Sequence, residues 1–489
     1  MKVLKKHMCR KNNLRILIFI IIAGALLRFA LVYFSCDISY GTDAVTYDNI
    51  AQNIAFKGVY SAKPPQEAPR PTAIYTPVYP LFVAGIYRLL GYNVKIVSYI
   101  HIILYAIASL VIFKLGDFLF DKKAGLWAVI FFSVEPVSVF YSVVPMPEIL
   151  IAIFLPLSVY FLFKFIKQDA PLSWKNPAYS ALLLGVAILT KPVLIFFPII
   201  FLAALIIFLA RKPLKLFYAV FIIAAIITTV LSPWIIRNYR LYNKFCFAKS
   251  IDFISACKDY GRTHRNLILD KEGNLPLFIA QQAIRYSFGT NSILIYKAVF
   301  KGNSLFYQYA RLKMAAADKK SAPTPDSDIS LSKFKVSTIG DYLKLFRYSP
   351  GFLLLQAALT LTLLAIYTFL IRGIYFAFKH GRKKEAFVFC VIILYFAAVI
   401  IVAVCGSRYR FPSAPFYCIL AGYGARYFLK VPSRSVSSVP PVKDEGGTKP
   451  MSSPGGGVIP FSPPSDLSLY LYSPVGIFCR VLVGMLSAL

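Results

Sequence analysis

The chain has 489 residues, 58% of them hydrophobic and 16% aromatic, with a mean hydropathy of +0.65. This excludes an ordinary soluble globular protein, because the apolar residues fall in blocks long enough for membrane-spanning helices. The 54 Lys and Arg against 21 Asp and Glu leave a net charge of +33. Much of that excess borders apolar blocks, which reads as topology signals and attraction to anionic lipid and argues against a nucleic-acid partner.

Within lipid each backbone amide must find its partner inside its own segment, so apolar blocks of this length are helices. The sequence predicts an all-α polytopic membrane protein with about ten spans. They lie near 16–34, 96–118, 124–141, 149–166, 177–190, 192–210, 214–235, 352–371, 386–404 and 411–429. The first is longer than a signal-peptide core and has no small-x-small cleavage site after it, so it reads as a signal anchor. Between the first two spans, residues 44–56 have a helical pattern with Tyr47, Ala51, Ile54 and Ala55 on one face, as for a helix lying on the membrane. The prolines around Arg70-Pro71 and Thr76-Pro77-Val78-Tyr79-Pro80 predict an extended, stiff segment. Gly91 and Asn93 mark the turn into the second span, and Pro192 separates the short fifth span from the sixth.

Lys and Arg cluster in loops of one parity: 2–15, 122–123, 164–175, 211–215 and 372–384. The positive-inside rule makes these cytoplasmic. Loops 35–95, 142–148, 190–192, 236–351 and 405–410 are then external. The chain is thus expected to comprise an N-terminal membrane module over 1–240, carrying the external loop 35–95, and an external loop or small domain over 241–349. C-terminal membrane helices follow over 350–430, then a disordered linker and apolar tail over 431–489. Within 241–349, stretches 275–289 and 292–316 have helical patterns and 320–329 reads as flexible. Residues 431–467 are rich in Pro, Ser and Gly without periodicity.

Polar residues that an apolar chain does not need gather in the external loops. Asp43 follows the first span; capping of the 44–56 helix by Thr42 or Asp43 is one reading, and a fixed carboxylate for catalysis is another, compatible with it. Asp48, one turn on, reads as solvated. Glu148 opens the fourth span, as a carboxylate that the helix dipole favours or as a contact to an acceptor. Glu135 lies deeper, within an apolar run. Lys191 stands between the fifth and sixth spans, and Trp234, Arg237 and Asn238 close the seventh, as interface anchors or as ligand contacts. Arg408 and Arg410 flank Tyr409 in a minimal external loop, where positive charge is normally depleted and a guanidinium fork suits phosphate oxygens. Arg70 reads as solvated or as a phosphate or sugar contact.

The four His, without an HExxH or CxxC pattern, argue against a protein-built zinc site. No cofactor is required; a divalent metal ion shared by Asp43 and Glu148 is compatible with the pattern. The eight Cys are scattered, so free thiols are expected, although Cys246 and Cys257 could pair in an oxidising compartment.

With these residues in hand, the chain resembles the GT-C membrane glycosyltransferases over roughly 10–430. It is similar to the protein mannosyltransferase-like group, which includes the lipid A aminoarabinose transferase and RgtA-like enzymes. The matching landmarks are Asp43-Ala44 with Tyr47, Arg70 before Tyr79-Pro80, Glu148, Thr190-Lys191-Pro192, Pro233-Trp234 with Arg237-Asn238, and Arg408-Tyr409-Arg410-Phe411-Pro412. The resemblance implies a GT-C-like helical bundle in the bacterial inner membrane with an external active site. It implies a polyprenyl-phosphate-sugar donor, a glycolipid, polysaccharide or protein acceptor, and inverting transfer. Asp43 would act as base or acceptor anchor; Arg70, Tyr79, Glu148, Lys191, Arg237, Asn238, Arg408 and Arg410 would bind substrate. Asp43-Ala44 departs from the Asp-Glu of some relatives, and the tail after 430 has no counterpart. A secondary transporter is the rival reading, for which polar groups should gather near the bilayer midplane and not at one face. A noncatalytic membrane scaffold is the third.

Overall fold

The computed structural model describes residues 2–34, 42–169, 173–248, 350–403 and 407–427. The chain divides into a unit Met1–Ala425 and a unit Arg426–Leu489, and the helices that form the bundle belong to the first. The predicted elements at 275–289, 292–316 and 320–329, Cys257 and the tail over 431–489 lie outside the described residues, whereas Cys246 is a free thiol.

The fold is helical. In chain order come α1 (Lys2–Phe34), α2 (Thr42–Lys57), α3 (Val78–Leu90), α4 (Val94–Leu119), α5 (Lys122–Val134), α6 (Pro136–Tyr141), α7 (Glu148–Ile166) and α8 (Lys175–Thr190). A 3-10 turn, η1 (Pro192–Phe196), leads into α9 (Phe197–Leu209) and α10 (Pro213–Tyr242). Then come α11 (Pro350–Lys379), α12 (Lys383–Ala403), a second 3-10 segment η2 (Ser407–Ser413) and α13 (Ala414–Arg426). Among the described residues the one β-type contact is an isolated bridge between Ser61 and Pro71.

Within the described residues each predicted span falls on helical segments, and six helices there are long and apolar enough to cross a membrane: Asn13–Phe34, Val94–Leu119, Glu148–Ile166, Pro192–Leu209, Pro213–Tyr242 and Leu354–Lys379. The protein is thus a multi-pass membrane protein. Leu214, Phe217 and Phe221 on α10 are well exposed, as suits helix faces whose solvent is lipid. α7 is at the centre, packed on α4, α8 and α9 and buried along most of its length.

Two breaks depart from uniform helices for local reasons. The third span divides at Glu135, which Pro136 holds at φ −61°, ψ 122°, outside the helical region. The Glu135 carboxylate then caps α6 by accepting from Ser138 N at 2.5 Å. Pro192 likewise holds Lys191 extended, at φ −146°, ψ 118°, between α8 and η1.

The segment after Arg70 corrects the expectation of an extended chain, because residues 78–90 form α3. Pro80 sits in the first turn of that helix, where the missing amide hydrogen costs nothing, so the prolines start a helix and do not prevent one. α2 and α3 pack together through Tyr47, Ala51, Ala55, Tyr79, Val83, Ala84 and Tyr87, and reach Val97 on α4 and Leu150 on α7. The apolar face predicted for 44–56 therefore meets protein. Gly91 ends α3 at φ +80°, and Asn93 caps α4 by accepting from Lys95 N at 2.9 Å.

α13 is buried along nearly its whole length. Glycine lets it approach its neighbours backbone to backbone: a Cβ at Gly422 would stand 2.3 Å from Ala124 O, and one at Gly424 would stand 2.1 Å from Phe369 O. This fixes η2, immediately before it, against α6, α7 and α12.

Candidate active site

Four of the sequence-selected residues meet in one chain of alternating charge. Asp43, in the first turn of α2, accepts from Arg408 Nη2 at 2.6 Å. Arg408, from η2, presents Nε to Glu148 Oε1 at 3.3 Å. Glu148, the first residue of α7, accepts from Lys191 Nζ at 2.6 Å. The two carboxylates stand at helix N-termini and Lys191 at the C-terminus of α8, the placements that helix dipoles favour. Lys191 Nζ lies 4.1 Å from the centre of the Tyr409 ring, and Arg408 also donates to Tyr409 Oη at 3.3 Å and to Met146 Sδ at 3.5 Å.

Burial grades along this chain. The side chains of Glu148 and Lys191 are 1% and 7% exposed, that of Arg408 is 19% exposed and that of Asp43 is 36% exposed. Asp43 is therefore the member that a ligand outside the bundle reaches first. Glu148 Oε2 is buried with no hydrogen-bond partner among the described residues.

Asp43 is not spent on capping. Its Oδ1 accepts from Tyr75 Oη at 2.7 Å while Oδ2 takes the Arg408 guanidinium. Burial opposes ionisation, but the Arg408 charge and the Tyr75 hydrogen bond outweigh it and hold the carboxyl below its ordinary value. For Arg408, burial disfavours the charge, and Glu148, Tyr409 and Asp43 more than restore it, so the guanidinium stays protonated. Tyr75 is pushed up, first by burial and then by Asp43, and remains a phenol. Tyr75 is a site residue that sequence reasoning misses; its place in a proline-framed loop beside the Asp43 helix is the available signal.

The two carboxylates that a divalent ion would share instead share a guanidinium. Among the described residues no group of three or more His, Cys, Asp or Glu is placed to hold a metal ion.

The other candidates stand apart. The Arg410 side chain is 2% exposed and donates to Glu135 Oε1 at 3.0 Å, so it ties η2 to the break between α5 and α6. Arg237 donates to Thr72 O at 2.8 Å and to Asn238 Oδ1 at 2.7 Å, and its guanidinium faces the rings of Tyr60 and Trp234. Asn238 donates to Cys246 O and Phe247 O, fixing the chain after α10. Tyr79 is buried in the α2–α3 core against Tyr47 and His101. The Arg70 side chain is exposed, and its backbone amide donates to Ser61 Oγ. Arg28, a cation within the first span, is a further residue outside the sequence-selected set. It is fully buried, donates to Ser142 Oγ at 2.6 Å and stacks 3.6 Å from the centre of the Tyr105 ring.

The opposite end of the bundle has its own ties. Lys167 pairs with Glu385 at 3.1 Å, Lys215 donates to Ile166 O, and Lys384 donates to Ile207 O. Three of the loops carrying excess Lys and Arg, 164–175, 211–215 and 372–384, thus meet at one end, and the alternating-charge cluster is built from loops of the other parity.

Residues 70–236 match the family model of dolichyl-phosphate-mannose-protein mannosyltransferases. The matched segment, about a third of the chain, is similar to that family, in line with the resemblance read from the sequence. It contains Glu148 and Lys191, whereas Asp43 and Arg408 lie on either side of it. Similar solved structures include the apo oligosaccharyltransferase of Archaeoglobus fulgidus, at 15% identity and TM-score 0.48, covering 84% of this chain and 50% of that one. ArnT from Cupriavidus metallidurans bound to undecaprenyl phosphate is similar at 14% identity and TM-score 0.48, covering 84% and 60%. The chain therefore spans half to three fifths of the length of these structures. No curated protein sequence matches it.

Proposed function

We propose that the protein is an integral-membrane glycosyltransferase that moves a sugar from a polyprenyl-phosphate donor to an acceptor hydroxyl on the external face, with inversion at the anomeric carbon. The observation that carries this reading is the Asp43–Arg408–Glu148–Lys191 cluster at one end of the bundle, together with the mannosyltransferase-like segment that supplies Glu148 and Lys191. The positive-inside pattern supports an external position for that end.

In this reaction the donor's lipid chain stays in the bilayer and its phosphate meets the cluster at the interface. The acceptor oxygen attacks the anomeric carbon as Asp43 takes its proton. The bond from anomeric carbon to phosphate oxygen breaks, and the electron pair leaves with the polyprenyl phosphate. Arg408 and Lys191 stabilise the charge growing on that phosphate, where fixed cations lower the barrier most. The guanidinium is shared among two carboxylates and the incoming phosphate, so donor binding draws Arg408 away from Asp43. A carboxylate relieved of its cation is a stronger base. Donor binding thereby arms the base.

The test uses purified full-length protein with polyprenyl-phosphate sugars that differ in the sugar, read out as release of free polyprenyl phosphate. Release that depends on Asp43 supports the proposal; no release from any donor, in protein that is folded and membrane-inserted, overturns it.

A further inference from the structure

A second polar feature adjoins this cluster and has no part in the reaction above. Asp48 lies five residues beyond Asp43 on α2, an axial rise of about 7.5 Å. Its Oδ1 accepts from Tyr87 Oη at 2.5 Å, and its Oδ2 accepts from Gln52 Nε2 at 2.8 Å and from Tyr92 Oη at 3.2 Å. It lines a cavity of about 270 Å³ together with Tyr47, Tyr79, Tyr87, Tyr92 and Pro145. This is not the solvated side chain expected from the sequence.

The cavity shares walls with the cluster. Tyr47 stacks on Tyr75 at 4.2 Å between ring centres, and Tyr75 is the residue that bonds Asp43. Pro145 precedes Met146, which accepts from Arg408.

We propose that this cavity holds a neutral sugar ring of the acceptor, next to the ring that carries the attacking hydroxyl. The assignment rests on the glycosyltransferase reading and deepens it by naming the acceptor class. Aromatic faces suit the C–H face of a pyranose, and phenols and a carboxylate supply the mixed donors and acceptors that its hydroxyls require. The volume falls just below the roughly 300 Å³ at which small-molecule sites begin, which is room for one ring and not for a folded peptide segment. A cationic ligand is disfavoured on two counts. Three donors already spread the charge of Asp48, and Arg408 and Lys191 stand behind the shared wall.

The test measures binding of methyl α-D-glucopyranoside to the full-length protein in lipid nanodiscs by saturation-transfer NMR. Ethanolamine and N-acetyl-threonine amide serve as the competing ligand classes. The glucoside should bind to the wild type and to Asp43→Asn. It should bind on the order of tenfold more weakly to Asp48→Ala, the scale for losing hydrogen bonds to a charged group. Val45→Trp, at the exposed rim of the cavity, should block it without touching the core, and it decides the matter if Asp48→Ala does not fold. Equal glucoside binding by both variants would overturn the site. Binding of ethanolamine or the threonine amide in place of the glucoside would overturn the sugar assignment. Release of polyprenyl phosphate is scored separately, so a protein that binds the glucoside but turns over no donor sinks the enzymatic reading and the acceptor role with it, and leaves only a sugar-binding cavity.

Discussion

Asp43→Asn separates the roles that a carboxylate at this position can play. Asn keeps the shape, still accepts from Tyr75 Oη, and caps a helix about as well as Asp. It removes the charge facing Arg408 and the site that takes the acceptor proton. The ion pair is partly open to solvent, with side chains 19% and 36% exposed, so after screening its loss should cost about 1 kcal/mol of stability. Loss of a general base lowers the rate by about 10²–10⁴-fold, or roughly 3–5 kcal/mol in the barrier. The kinetic effect therefore exceeds the stability effect several times over, and one variant distinguishes them. Single-turnover sugar transfer, donor binding and thermal unfolding should be measured together. Donor affinity should hold or rise, because Arg408 loses a competing anion. Transfer within about threefold of wild type would refute the assignment of Asp43 as base, since that loss is far below the general-base scale.

The same residue makes a signed pH prediction. With its folded value held below the ordinary aspartate value of about 3.9, Asp43 stays ionised further into acid than a free aspartate does. Its pairing contributes stability that is present above the unfolded value and is lost as pH falls through the lowered folded value. The acid limb of kcat/KM reports the free enzyme and should lie below about 3.9. The acid limb of kcat reports the donor complex, where phosphate competes for Arg408, and should lie at higher pH. Coincident limbs would refute the exchange of Arg408 between Asp43 and donor.

Three further outcomes follow from the site and its supports. Arg408→Lys keeps one charge but cannot span Asp43 and Glu148 with separate nitrogens, so turnover should fall, and Arg408→Ala should fall further; unchanged donor affinity and rate in Arg408→Ala would remove the residue from the site. Glu135→Gln leaves the Arg410 charge buried and should cost about 3–5 kcal/mol, seen as a lower unfolding temperature in detergent and weaker donor binding through a loosened η2, whereas an unchanged melt would deny that the pair anchors this segment. A chain ending at Lys430 should insert and turn over donor, because the residues proposed to act all precede it; normal insertion with lost turnover would give the tail a function.

Different physical signals make parts of this molecule legible in the sequence. Spans are local: a block such as 149–166 is apolar whatever surrounds it, and α7 occupies Glu148–Ile166. The break at Pro192 and the caps at Gly91 and Asn93 are equally local, because each constrains its own backbone. α3 is hidden because thirteen residues opening on Pro77 and Pro80 look like an extended linker unless the first turn is recognised as tolerant of proline. Asp43 and Arg408 stand out as unneeded polar groups at one face, but a pair 365 residues apart cannot be read as a pair from either end of the chain. Tyr75 and Asp48 escape because an aromatic beside prolines and an acid on a helix face have ordinary explanations. Their neighbours, and not their identities, make them part of a site. Arg28 is the missed residue with a local signal, a cation in the middle of an apolar run.

The balance of charge in the cluster bears on how the proposed reaction is controlled. Two carboxylates and two cations in alternation make the resting site neutral, which suits groups withdrawn from water at a membrane interface, where an unpaired ion is costly. A neutral site has no spare positive charge waiting for a phosphate, so donor binding must compete with ion pairs already made. Glu148 is the less yielding competitor: it is buried and also holds Lys191 at 2.6 Å. Asp43 is the more exposed carboxylate, and Tyr75 supplies a neutral hydrogen bond that persists when Arg408 moves. The guanidinium is therefore expected to give up Asp43 before Glu148. The group freed by the donor's arrival is then the one proposed to take the proton. On this arrangement an empty site holds its base in an ion pair, and transfer begins only when a phosphate has taken the arginine.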